Sequence, residues 1–176
     1  MKREEAYYFK ILLSNGFSDE FEEWLDSHLK TENPLSDIVL KLSFCASDTN
    51  KVISCLHNYC LEETFDVGIV RDMIRIFLKR SYVEKRFSKE ELYALMHSFA
   101  ITYESSPEMN LEPFSDMLYV YDYYLLAEEG IISMDKLDQA VYAFLGFGER
   151  INYDLLWNTP KKKTWIGAGA FGRKRK

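Results

Sequence analysis

The chain has 176 residues, of which 47% are hydrophobic and 28% charged, and its formal net charge is −6 at pH 7. This composition is typical of one globular domain and excludes a disordered chain, and no apolar run approaches the ~20 residues of a membrane-spanning helix. The N-terminal residues lack the apolar core of a signal peptide, and an odd number of cysteines favours free thiols, so we expect a cytoplasmic protein that does not insert into membranes.

Charge is unevenly distributed along the chain. Residues 161–176 contain seven cations and no acid, which leaves 15 cations and 28 acids in the residues before them, a net charge of −13. The cations of this basic tail are Lys161, Lys162, Lys163, Arg173, Lys174, Arg175 and Lys176. We therefore expect an acidic domain over residues 1–158 and a basic, glycine-containing tail over residues 159–176.

Apolar residues recur at helical spacing throughout the first half of the chain. The first predicted helix covers residues 3–15 and ends at Asn15-Gly16, and Leu29 belongs to the buried side of the second. The N-caps predicted for the next four helices are Ser18, Ser36, Asp48 and Asp66. The fifth helix has a wide apolar stripe from Ile69 to Phe77, so we expect it to be central and contacted on two sides.

The second half of the chain centres on a predicted helical hairpin over residues 114–147. Gly130 is suited to end its first helix, on which Leu125 faces inward, and Ser133 is suited to cap its second. Before the hairpin, Ser88-Lys-Glu-Glu91 matches a capping box, and residues 104–113 are the longest predicted loop. After it, residues 152–157 could form one short final helix.

These patterns predict the fold class. No segment alternates convincingly with the two-residue period of a strand. We expect an all-α single domain of eight or nine short helices, packed as an orthogonal or solenoid-like stack of helical hairpins without a significant β-sheet.

Three motifs resemble sites of chemistry, but each has a simpler interpretation. Gly167 to Gly172 matches G-x-G-x-x-G, yet a phosphate-binding loop needs a strand before it and a helix after it, and only four residues follow. Cys55-x-His57-x-x-Cys60 lacks zinc-ligand spacing and favours buried structural thiols. His28, His57 and His97 are predicted to be half-buried helix-flank residues.

Paired carboxylates near the hairpin turn form a further candidate. Glu128-Glu129 and Asp135-x-x-Asp138 could perform acid–base or metal chemistry, but the E-x-x-H spacing of dimetal bundles does not occur at any of the three histidines. Solubilising acids near helix ends are the better interpretation. The sequence therefore predicts no catalytic residue, no cofactor and no metal ligand.

An acidic strip on the second helix is the best candidate for a functional surface. Asp19, Glu22, Glu23 and Asp26 are spaced three or four residues apart, so they lie along one helix face, where like charges repel one another. Such a strip can be only a solvated face, or it can dock a basic protein. We predict a partner-binding surface that uses these four acids, with Tyr119 and Tyr123 as aromatic anchors in the same or another interface.

Three classes of function remain open. The leading hypothesis is a non-enzymatic protein-binding module, specifically a bacterial immunity protein or antitoxin that neutralises a basic, nucleic-acid-cleaving toxin. The second is a nucleic-acid-associated regulator or adaptor that binds through the basic tail, where Trp165 and Phe171 could stack on bases. The third is an enzyme whose site is assembled from residues distant in sequence.

Overall fold

A computed structural model of the chain describes residues 1–104 and 114–148. Within these ranges nine helical segments follow one another and no β-strand occurs, which confirms the predicted all-α single domain. Their bounds are α1 Arg3–Ser14, α2 Asp19–Thr31, α3 Asp37–Cys45, α4 Thr49–Leu61, α5 Val67–Val83, α6 Lys89–Glu104, α7 Ser115–Leu118, α8 Val120–Glu128 and α9 Met134–Phe144. The loop predicted beyond Glu104, the final helix at 152–157 and the domain boundary at 158 lie outside the described residues.

The first helix forms the centre of the domain. Every residue of α1 from Ala6 to Leu13 is buried, and α1 packs against α2, α4, α5 and α6. A helix that is contacted on all sides loses the polar face that a surface helix keeps. The core is therefore built around α1, with the other helices arranged about it.

The prediction for α5 holds only in part: α5 is contacted by both α1 and α6, but α1 and not α5 is the central helix. Its inner side, which includes Val70 and Ile74, is buried against α1 and α6. On its outer side Ile69 is 48% exposed and Ile76 is 61% exposed. A wide apolar stripe indicates that a helix can be buried, but it does not determine whether a second layer covers the outer face.

Most of the predicted helix ends are confirmed. The carboxylates of Asp48 and Asp66 accept hydrogen bonds from the backbone N–H groups of Lys51 and Gly68 at 3.2 and 2.8 Å. The capping box also forms, because Ser88 N–H donates to the Glu91 carboxylate at 2.7 Å. In contrast, Ser18 and Ser36 stand at N-cap positions without a side-chain cap bond.

Loss of one cap should weaken α9 by a measurable amount. The Ser133 hydroxyl accepts a hydrogen bond from Lys136 N–H at 3.4 Å. We expect Ser133→Ala to lower the free energy of unfolding by about 1 kcal/mol, because a donor at the helix N-terminus loses its partner. Urea denaturation followed by circular dichroism measures the change. Ser133→Asp is the matched control and should retain the cap, so equal losses in both variants would contradict this role.

The hairpin forms with one interruption. Gly130 has φ +73° and ends the first arm as predicted, but that arm is divided at Tyr119 into the one-turn helix α7 and the longer helix α8. Leu125, which we predicted to be inward, is 47% exposed. Leu125 follows Val120 by five residues, about 140° around the helix, so it lies away from the buried side that Val120 and Ala127 define.

Candidate protein interface

The acids of α2 divide into one inward residue and an outward strip. The carboxylate of Glu20 forms an ion pair with Arg80 of α5 and accepts a hydrogen bond from the Tyr8 hydroxyl of α1 at 2.5 Å. Burial raises the pKa of Tyr8 to about 12, and the nearby Arg80 opposes this rise. Glu20 therefore has a structural role, since it ties α2 to the two helices beneath it.

The remaining four acids face the solvent. Asp19, Glu22, Glu23 and Asp26 are all exposed, which confirms that they lie along one face of α2. Among the described residues, only Asp26 of these four forms an ion pair, at 3.6 Å from Lys30. Their mutual repulsion amounts to a few tenths of a kcal/mol per pair. The N-terminus of α2 offsets part of it, because Asp19 and Glu22 lie in the first turn, where the helix dipole favours negative charge. We refer to these four residues as the acidic strip.

Exposed apolar side chains occur on α2 and on the adjoining helix α3. Leu29, which follows Asp26 by one helical turn, is 39% exposed, so its predicted burial is wrong. The α3 helix packs against α2 and exposes Leu40 by 42% and Phe44 by 82%. Aromatic side chains such as that of Phe44 are frequent anchors in protein interfaces.

The two predicted tyrosine anchors belong to a different part of the bundle. Tyr119 is 52% exposed, whereas Tyr123 is half-buried. Both lie at or within α8, which packs against α6, α7 and α9, whereas α2 packs against α1 and α3. The structure therefore does not join these tyrosines to the acidic strip in one surface.

The histidines occupy the structural positions predicted for them. All three are half-buried. The Nδ1 atom of His28 lies 2.8 Å from the Trp24 carbonyl oxygen, and that of His97 contacts the Leu118 carbonyl oxygen. Each contact holds the ring against a helix.

The cysteines are free thiols that differ in burial. Cys60 is buried and Cys45 and Cys55 are half-exposed, so the prediction of buried thiols holds only for Cys60. Burial raises the pKa of Cys60 to about 11, which keeps it protonated at neutral pH and a poor nucleophile. Within residues 1–104 and 114–148, no three His, Cys, Asp or Glu side chains come together as metal ligands.

One hairpin acid has an unpredicted role. The Asp138 carboxylate accepts hydrogen bonds from Lys89 Nζ at 2.5 Å and from the Tyr93 hydroxyl at 2.6 Å, which joins α9 to α6. The hydrogen bond from Lys89 to Asp138 raises the pKa of Lys89. The pKa of Tyr93 is raised chiefly by burial and further by its hydrogen bond to Asp138. Asp138 is therefore a tertiary ion-pair partner and not simply a solubilising acid, whereas Glu128 and Glu129 are exposed as expected.

An apolar groove lies beside this ion pair, and no sequence motif indicated it. It has a volume of about 510 Å³ and is bounded by the end of α5, the segment 84–88, the start of α6 and α9. Lys85 at its edge has φ +55°, a left-handed conformation that costs a residue with a β-carbon about 1 kcal/mol or more. The sequence signal that could have indicated this region is the concentration of cations in residues 67–89.

Two sequence-based candidates lie outside the described residues. These are the glycine motif at 167–172 and the basic tail with its seven cations. The structure gives no position for either, so both remain predictions.

Comparison with known proteins identifies no relative. No family model, no curated protein and no solved structure matches the chain. Among the described helices, none combines the length and apolar character that spanning a bilayer requires.

Proposed function

We propose that this chain is a non-enzymatic protein-binding module whose acidic strip docks a basic protein. The observation that carries the proposal is the separation of the α2 acids into one structural residue, Glu20, and four solvent-facing residues. The fold uses the first for an ion pair and a hydrogen bond, and it leaves the others exposed at some cost in repulsion. A basic partner would convert that repulsion into attraction.

The exposed apolar residues of α2 and α3 supply a second component of an interface. Charge complementarity accelerates encounter and rejects wrong partners, whereas desolvated apolar anchors hold the complex together. Phe44 and Leu40 on α3, with Leu29 on α2, are the available anchors. An acidic surface with apolar anchors is the combination that a basic protein target requires.

Within this class, we propose more narrowly a bacterial immunity protein or antitoxin that neutralises a basic nuclease toxin. A nuclease carries a cationic surface for phosphates, and an acidic inhibitor can occupy that surface. The four carboxylates of the acidic strip lie on three successive helical turns, so they form a row of negative charges, as the phosphates of a nucleic acid do. This narrower proposal depends on the chemistry of the acidic strip and on no relative of known function.

Charge reversal on α2 tests the proposal. A stoichiometric basic partner is first captured from the native source with the full chain, and its association with the purified chain is followed by stopped-flow fluorescence. We expect Glu22→Lys with Glu23→Lys to lower the association rate constant about tenfold at low salt and much less at high salt, because steering charges are screened. Inhibition of the partner's nuclease activity should weaken in parallel.

The matched control is Glu128→Lys with Glu129→Lys. It makes the same change in net charge at two exposed acids that lie outside α2. At 0.15 M salt, where the Debye length is about 8 Å, we expect it to change the rate less than about twofold and less than the α2 variant does. Equal effects of both double variants, or no effect of the α2 variant, would remove the acidic strip from the interface. A captured partner without nuclease activity would refute only the narrower proposal.

A further inference from the structure

The groove beside α5 has a largely apolar lining that can bind apolar groups. Its volume of about 510 Å³ lies within the range of natural ligand clefts. Apolar side chains from three helices and one connecting segment form most of its wall. These are Val83, Phe87, Leu92, Val141, Tyr142 and Leu145.

The polar rim of the groove leaves one cation available. Lys89 and Tyr93 both bond to Asp138, so that carboxylate and that ammonium group are already engaged. Lys85 is exposed and forms no ion pair with any residue in the described ranges. An anionic group that enters the groove can therefore reach the Lys85 ammonium group without breaking an existing pair.

The backbone of Lys85 gives an independent reason to connect it with the groove. Helix α5 ends with hydrogen bonds from Lys85 N–H to the Tyr82 carbonyl and from Arg86 N–H to the Ser81 carbonyl. This type of helix ending favours glycine at the left-handed position, yet the position holds a lysine with φ +55°. Strained residues of this kind concentrate at binding sites, where the side chain has a use that offsets the strain.

The apolar surface of the groove continues along the outer face of α5. Val83 lines the groove and is 61% exposed, and Ile76 and Ile69 follow it at intervals of seven residues, 61% and 48% exposed. Fourteen residues of α-helix extend about 21 Å. Residues seven apart lie on one helix face, as the a positions do in a helix that packs along another.

The charge around this surface is opposite to that of the other described residues. Residues 67–89 contain seven cations and two acids, whereas the other described residues contain seven cations and 22 acids. Lys79 and Arg75 lie beside the apolar residues on α5, and the Lys79 ammonium group is 4.5 Å from the centre of the Phe147 ring. The surface therefore favours an acidic partner, unlike the acidic strip on α2.

We propose that the outer face of α5 and the adjoining groove form a second docking surface, which binds an acidic amphipathic helix of another protein. Its apolar residues would contact Ile69, Ile76 and Val83 and enter the groove, and its carboxylates would pair with Lys79 and Lys85. The length and seven-residue spacing of the α5 face match a helix better than a small ligand. A lipid bilayer is less suitable, because a flat membrane surface would leave the concave groove unfilled.

A pair of synthetic peptides tests the proposal with the full chain. The first is an amphipathic helix of roughly five turns, with leucine on its apolar face and glutamate on its flanks, labelled for fluorescence anisotropy. The second has lysine in place of every glutamate. We expect the chain to bind the glutamate peptide at least tenfold more tightly than the lysine peptide. Equal binding, or no binding of the glutamate peptide, would overturn the proposal.

Matched variants locate the binding surface. We expect Ile76→Asp to weaken binding of the glutamate peptide at least tenfold, while Leu61→Asp leaves it unchanged. The two side chains are almost equally exposed, at 61% and 62%, but Leu61 lies on α4. Equal effects of the two variants would show that the peptide does not bind the outer face of α5. Loss of peptide binding when residues 149–176 are deleted would also contradict binding at this face.

The Lys85→Gly variant should have opposite effects on stability and on peptide binding. Glycine removes the backbone strain, so Tm should rise by about 2–4 °C, while binding of the glutamate peptide should weaken about threefold or more. Unchanged binding would refute the role of Lys85. A parallel sedimentation assay tests binding to vesicles of phosphatidylcholine and phosphatidylglycerol. If the chain binds these vesicles and Ile76→Asp abolishes that binding, the surface is a membrane-binding face and the proposal is overturned.

Discussion

Replacing Phe99 with alanine should lower the free energy of unfolding by about 3–5 kcal/mol, because the variant loses a large buried side chain and leaves a cavity. Phe99 is fully buried on α6, and its ring lies 5.9 Å from that of Phe77 and 6.1 Å from that of Phe17. For a chain of this size the loss corresponds to a fall in Tm of roughly 10 °C. Differential scanning calorimetry and urea denaturation measure it.

Phe44→Ala is the matched control for Phe99→Ala. It removes the same atoms from a side chain that is 82% exposed on α3, so we expect the free energy of unfolding to change by less than about 0.5 kcal/mol. A loss at Phe44 as large as that at Phe99 would show that Phe44 is packed and would remove it as an interface anchor. A loss at Phe99 of less than about 1 kcal/mol would contradict its place in the core.

Replacing Lys10 with methionine should stabilise the protein, an unusual result for a core substitution. Lys10 is only 8% exposed on the central helix α1, and its ammonium group lies 4.7 Å from the centre of the Tyr7 ring. No carboxylate within the described ranges forms an ion pair with it. The ammonium group has no anionic partner and is partly desolvated, so we expect Lys10→Met to raise the free energy of unfolding by about 1 kcal/mol at pH 7.

The pH dependence of this difference is diagnostic. Burial lowers the pKa of Lys10, and the neighbouring Cys60 opposes this change. The pKa of lysine in the unfolded chain is about 10.4. Between the lowered pKa of Lys10 in the folded protein and that value, the unfolded chain binds more protons than the folded one. The contribution of Lys10 to the free energy of unfolding therefore increases as pH rises through this range. The raised pKa of Cys60 and of Tyr8 acts in the opposite direction at alkaline pH. Only the difference between native protein and variant isolates Lys10.

Urea denaturation of both proteins from neutral to alkaline pH measures that difference. We expect the advantage of Lys10→Met to shrink as pH approaches the unfolded pKa of lysine. Lys41→Met is the control, since Lys41 is exposed and should change stability by less than about 0.5 kcal/mol at every pH. A destabilised Lys10→Met protein, or a difference that does not vary with pH, would contradict the proposed desolvation of this lysine.

The candidate surfaces differ in how far the sequence predicted them. The acidic strip could be found from spacing alone, because residues three or four apart share a helix face wherever that helix lies. The role of Glu20 could not, since its partners Tyr8 and Arg80 lie on other helices. The groove could not be predicted either, because it forms where three helices meet. The left-handed backbone conformation of Lys85 at its edge is likewise not evident from the sequence.

The sequence by itself determined the fold class and most helix ends. Helical periodicity, the capping box at Ser88-Glu91 and the glycine at 130 are local features, and their physical effects act within one or two turns. Only the tertiary structure decided which helix became the centre. Both α1 and α5 carry enough apolar residues to be surrounded, but the other helices enclose α1 and leave Ile69 and Ile76 of α5 exposed. That choice depends on how all the helices share a limited interior, which no single segment encodes.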